Sequence, residues 1–151
     1  MRRFAAVVVS GVLGAAQASN AGAGQLTLWQ ADLQVSRLTV SQTDGRLTAR
    51  VLVSAEMGEA LGARLEVLLP VGVGIVTLGS GCTAGPNRTG IRDLRGRVEC
   101  SLGDMPARSS REVYVVTTAP PFGVVRGFAV VVMSETPDPR PGNNFAERII
   151  P

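Results

Sequence analysis

From residue 31 onward the chain is written in period two. Leu47, Ala49, Val51 and Val53 alternate with Thr48, Arg50, Leu52 and Ser54. Leu65, Val67 and Leu69 alternate with Arg64, Glu66 and Leu68, and Val113, Val115 and Thr117 alternate with Glu112, Tyr114 and Val116. Successive side chains of a strand point to opposite faces, so this pattern sets one face on a core and the other toward water. Phe128 to Met133 is apolar on both faces, which suits a central strand. Ala31 to Val40 changes parity, with Leu33 and Val35 on one phase and Leu38 and Val40 on the other. A β-bulge, or a strand that crosses between sheets, accounts for such a change.

Turn signals separate these runs: Thr43-Asp44-Gly45-Arg46, Met57-Gly58-Glu59, Gly79-Ser80-Gly81, Gly103-Asp104 and Ala119-Pro120-Pro121. After the first residues, no stretch of ten or more combines a 3.6-residue period with a capping signature, so helix should be scarce. Short strands at fairly even spacing predict a sandwich or barrel. The length past the leader suits one domain with one core.

The N-terminus reads as an address. Met1-Arg2-Arg3 is a positive region, Phe4 to Ala15 is mostly apolar, and Ala16-Gln17-Ala18 offers a small-x-small cleavage pattern before Ser19. The apolar run is too short for a bilayer, which takes roughly 20 residues. The expected division is a signal peptide over 1–18, a lead-in over 19–29 and a single domain over 30–151. No later segment reads as transmembrane. An exported protein, periplasmic or extracellular, is expected.

Removing the leader changes the charge. The whole chain carries a formal +3. All fifteen basic residues are arginines; without Arg2 and Arg3, thirteen face twelve acids, a side-chain sum of +1. The basic balance therefore supports no nucleic-acid partner. The chain has no histidine and no lysine. That excludes Ser–His and Cys–His pairs, imidazole metal sites, Schiff bases and the P-loop lysine. Carboxylates are the one acid–base pair left, and their spacing in the sequence brings no two together.

Cys82 and Cys100 are the two cysteines. In an oxidising compartment they are expected to form a disulfide, because exported thiols do not stay reduced. Two cysteines without histidine cannot build a structural zinc site alone, and their spacing is unlike CxxC.

The order of motifs resembles a known family. Ala31-Asp32-Leu33 opens the domain, and Leu69-Pro70-Val71-Gly72 follows a strand. Cys100-Ser101-Leu102-Gly103 comes next, and Thr136-Pro137-Asp138-Pro139 ends in Asn143-Asn144. This resembles the bacterial immunoglobulin-like repeat family catalogued as domain-of-unknown-function eleven, over nearly all of residues 30 to 150. Where that family usually has N-N-G-P at the second turn, this chain has Glu56-Met57-Gly58-Glu59. The resemblance implies an all-β, immunoglobulin-like Greek-key β-sandwich of seven to eight strands. It also implies a non-catalytic structural or interaction module, here as a single copy behind a leader. The partner would be another envelope or surface protein, or a glycan.

Three places are candidate sites. Arg88, Arg92, Arg95 and Arg97 lie inside the span closed by the cysteines, against Asp93 and Glu99. They could hold an anionic glycan or lipid, and a solvated loop with weak surface pairing is the other reading. Asp138, Asn143 and Asn144 offer hard oxygen ligands for calcium. Only Asp138 in that motif is a carboxylate, with Glu135 beside it, so a proline-stiffened structural turn is the leading reading. Trp29 precedes the first strand and is expected to cover the open end of the sandwich; stacking on a sugar is the alternative. No cofactor is implied.

Overall fold

The computed structural model describes residues 29–85, 95–121 and 127–150. The leader and most of the lead-in lie outside the described residues. Among the described residues, nine strands run in order: β1 (Asp32–Thr43), β2 (Arg46–Met57), β3 (Ala60–Val71), β4 (Ile75–Leu78), β5 (Cys82–Ala84), β6 (Arg95–Met105), β7 (Ser109–Thr118), β8 (Gly127–Met133) and β9 (Phe145–Ile149). A 3-10 turn, Pro141–Asn143, precedes β9. Two antiparallel sheets form, with orders β1-β2-β7-β4 and β5-β6-β3-β8-β9. The chain passes between sheets after β2, β3, β4, β6 and β7, which makes an immunoglobulin-like Greek-key sandwich. Nine strands exceed the seven to eight expected. The short β4 and β5, four and three residues long, contain too few alternations to show a period.

The alternations resolve as read. Leu47, Ala49, Val51 and Val53 of β2, Leu65, Val67 and Leu69 of β3, and Val113, Val115 and Thr117 of β7 are buried. Phe128, Val130 and Val132 of β8 join them, and β8 lies between β3 and β9 as a strand apolar on both faces should. The parity change in β1 is a bulge. Register passes from Val35 opposite Val53 to Arg37 opposite Leu52, leaving Ser36 unpaired. Leu33 is buried, and Val35 before the bulge and Leu38 and Val40 after it pack against the same core.

Among the described residues, Phe128 is the one aromatic of the largest fully buried side chains, which otherwise are Leu, Val and Met. Alanines at 49, 55, 60 and 63 complete the packing. Two turns depend on special backbone. Asp44 and Gly45 both have positive φ, 50° and 70°, as the two-residue hairpin between β1 and β2 demands. At the crossing from β2 to β3, Gly58 has φ +66°, and a Cβ there would fall 1.9 Å from the Gln30 carbonyl oxygen. Only glycine fits that approach.

Candidate functional site

The register of the five-stranded sheet determines which polar side chains share its outer face. Thr83 lies opposite Glu99, Glu99 opposite Glu66, Glu66 opposite Val131, and Val131 opposite Phe145. One row away, Ser101, Arg64 and Met133 are aligned; in the other direction Arg97, Leu68, Ala129 and Glu147 are. A groove of about 400 Å³ runs over this face, lined by Arg64, Glu66, Arg97, Glu99, Ser101 and Met133, with Gly81 and Thr83 at the β5 rim. That volume is within the range of small-ligand clefts.

Glu66 and Glu99 are like charges directly across a strand pair, an arrangement that destabilises a sheet by itself. Arg97 resolves it. Its Nη2 donates to Glu66 Oε2, and its Nε lies 3.2 Å from Glu99 Oε1. Arg97 and Glu66 are mostly buried, their side chains 18% and 16% exposed, while Glu99 stands 53% exposed. One guanidinium thus joins two carboxylates and fixes all three side chains in the groove. The sequence spacing did not show this carboxylate pair, because it depends on the register between β3 and β6. Both carboxylates are engaged by a cation, an arrangement that pairs charge and positions side chains.

Cys82 and Cys100 are disulfide-bonded and lie directly opposite each other in the β5–β6 ladder. Ser101 N donates to Gly81 O at 2.9 Å beside them. Among the described residues β5 pairs with β6 alone, so the disulfide secures the rim of the groove. Of the four candidate anion-binding arginines, Arg88 and Arg92 lie outside the described residues. Arg95 begins β6, and its side chain also lies outside them. Arg97 is held by Glu66 and Glu99.

The other candidate segment lies at the sandwich edge where β1 and β9 meet. Asp32 is fully buried. Its Oδ1 accepts from Asn143 Nδ2 at 2.9 Å and its Oδ2 from Arg140 Nη2. Asp138 Oδ2 accepts from Leu33 N and Asn144 Nδ2, both at 3.0 Å, and its Oδ1 from Arg140 N at 2.7 Å. Ala31 N donates to Pro137 O at 3.1 Å. Thr136 Oγ1 accepts from Leu61 N at 3.0 Å and donates to Glu59 O at 3.1 Å.

The β8–β9 connection stays within one sheet rather than crossing to the other, and it is a clasp that takes up backbone donors which an edge strand would leave free. The proposed calcium ligands Asp138, Asn143 and Asn144 do come together. Each carboxylate oxygen of Asp32 and Asp138 already accepts an N–H, and the Arg140 guanidinium lies against Asp32. Among the described residues, no three or more Cys, Asp or Glu cluster in a metal-binding arrangement.

Trp29 does not cover the open end of the sandwich: it is 87% exposed. The chain before β1 approaches Gly58 through the backbone of Gln30 and Ala31, and Gln30, like the indole, stays exposed.

No protein-family model and no curated protein matches the chain. Among solved structures, it is similar to the chitin-binding domain of a chitinase from Pyrococcus furiosus. That match has a TM-score of 0.44 and 10% identity, over 72% of this chain and 96% of that one. The domain ChBD3 from Thermococcus kodakarensis KOD1 matches with a TM-score of 0.41 and 13% identity, over 70% and 94%. AvmM, described as catalysing macrocyclization in alchivemycin A biosynthesis, matches with a TM-score of 0.34 and 10% identity, over 75% and 86%. At these scores the likenesses carry no argument about what this chain binds.

Proposed function

We propose that the chain is an exported, non-catalytic interaction module of the bacterial envelope or extracellular space, and that it contacts its partner through the outer face of the five-stranded sheet. The observation that carries this reading is the groove on that face, in which Arg97 pairs with both Glu66 and Glu99. Groups held in this way suit recognition, since little side-chain freedom is left to lose on binding. The Cys82–Cys100 disulfide supports an oxidising compartment, and the leader pattern supports export. No helix among the described residues is long and apolar enough to cross a membrane. The ordered motifs that resemble the domain-of-unknown-function family eleven support an interaction role as well.

The test is co-sedimentation of the purified full chain with peptidoglycan sacculi and with outer-membrane vesicles. Ser101→Arg places a bulky cation in the groove; Thr48→Arg does the same on the outer face of the other sheet. Retention that falls with Ser101→Arg and survives Thr48→Arg supports the reading. Equal behaviour of the two variants, or release of soluble fragments from the sacculi, overturns it.

A further inference from the structure

If the outer face of the five-stranded sheet is the binding face proposed above, its groove also restricts the class of occupant. Charge is the first constraint. Arg64 and Arg97 balance Glu66 and Glu99, so the charged groove lining sums to zero. An anion would have to approach the partly exposed Glu99 carboxylate. A cation would compete with Arg97 for carboxylates that already hold it.

Spacing is the second constraint. Arg64, Glu66, Glu99, Ser101 and Thr83 sit on three neighbouring strands, about 4.8 Å apart from strand to strand. They present guanidinium donors, carboxylate acceptors and hydroxyls that do both. A ligand bearing hydroxyls on adjacent carbons can donate to a carboxylate and accept from a guanidinium together, and it needs no charge of its own. Charge-assisted bonds of this kind are the stronger ones.

Apolar surface is the third. Met133 lines the groove, and Val131 and the 55% exposed Phe145 continue the same face toward β9. A sugar ring presents hydroxyls at its rim and C–H groups on its faces, which matches a face that is polar on β5, β6 and β3 and apolar on β8 and β9 along the same rows. Four inter-strand gaps from β5 to β9 give the face a width of about 19 Å, enough for a short run of rings. We propose that this groove binds an extended chain of uncharged sugar residues. Glu99, Arg64 and Ser101 hydrogen-bond the hydroxyls, and Met133 and Phe145 form the apolar platform.

Depletion isotherms of the full chain on insoluble chitin and cellulose, with heparin-agarose as a polyanion, test this directly. Retention on at least one of the uncharged polymers is expected to persist in about 1 M sodium chloride, where the Debye length is near 3 Å. Glu99→Ala and Phe145→Ala should each weaken it about tenfold or more. Glu99→Gln, which keeps an acceptor without the charge, should stay within about threefold, and unfolding curves confirm that each variant is folded. Retention on heparin alone, lost in high salt, overturns the proposal in favour of an anionic occupant. Groove-dependent binding to sacculi or vesicles without binding to chitin or cellulose overturns the sugar assignment and leaves the binding face standing. Retention on the uncharged polymers that ignores both alanine substitutions places the site elsewhere and overturns the proposal.

Discussion

Two arginines in this molecule each join β-strand carboxylates, with opposite consequences. Arg140 reaches from the β8–β9 connection to Asp32, which is fully buried, and nearby Asp138 accepts backbone N–H groups from Leu33 and Arg140 itself. Arg97 lies within the five-stranded sheet between Glu66 and Glu99, and Glu99 still faces solvent. In the clasp, every carboxylate oxygen accepts from the protein, so both carboxylates are spent in holding β1 to the C-terminal segment, while the buried Asn143 Oδ1 and Asn144 Oδ1 accept no protein donor. In the groove, acceptor capacity and apolar surface remain open. Exposure decides which network holds the fold and which can meet a partner.

The largest effect should come from the groove side. Replacing both cysteines, as Cys82→Ser with Cys100→Ser, should cost about 3 kcal/mol through the loop entropy returned to the unfolded chain. Denaturant unfolding measures the total. Hydrogen exchange locates it: the Ser101 amide, bonded to Gly81 O, should lose protection ahead of Leu33, bonded to Asp138. If both amides lose protection together, the rim and the clasp are one cooperative unit and the contrast fails.

Next in size is Arg140→Ala. It leaves buried Asp32 with Asn143 as its remaining side-chain donor. The expected cost is about 2 kcal/mol, below that of a fully enclosed pair, because the Arg140 side chain is 65% exposed and water reaches the vacated space. Urea midpoints at unchanged m-value would show it.

Glu66→Ala, which removes one carboxylate from Arg97 and also relieves the Glu66–Glu99 opposition, should cost about 1 kcal/mol. A cost above that of Arg140→Ala would reverse the assignment of the two networks. The smallest effect belongs to the exposed pair Arg50–Glu112 on the four-stranded sheet, 2.9 Å apart with both side chains more than half in water. Arg50→Ala should shift stability by less than about 0.5 kcal/mol. This variant sets the scale for an ordinary surface pair, and a clasp variant that matched it would deny the clasp its structural role.

Much of the architecture is legible in the residue pattern. The alternations in β2, β3 and β7 place their buried faces correctly, and the parity change in β1 announces the bulge at Ser36. The disulfide matches what two cysteines behind a leader-like segment predict. The short β4 and β5 escape because three or four residues cannot display a period. Trp29 departs from expectation: an indole before a first strand suggests a lid, whereas the close approach to Gly58 is made by the backbone of Gln30 and Ala31 and the indole stays in solvent. The proline-rich motif between β8 and β9 is recognisable as a unit, yet its pairing with Asp32, more than a hundred residues away in the chain, is not readable.

Local pattern is enough to establish a β protein, to say which residues of its longer strands face inward, and to exclude imidazole and lysine chemistry. These follow from the two-residue repeat of a strand and from the presence or absence of functional groups. The meeting of Glu66 with Glu99 under Arg97, the sealing of Asp32 by Arg140 and the exposure of Trp29 arise at the tertiary level. Those outcomes depend on the order of strands in each sheet and on the register between them. That register is set when distant segments bury their apolar faces together, and no local pattern in the chain encodes it.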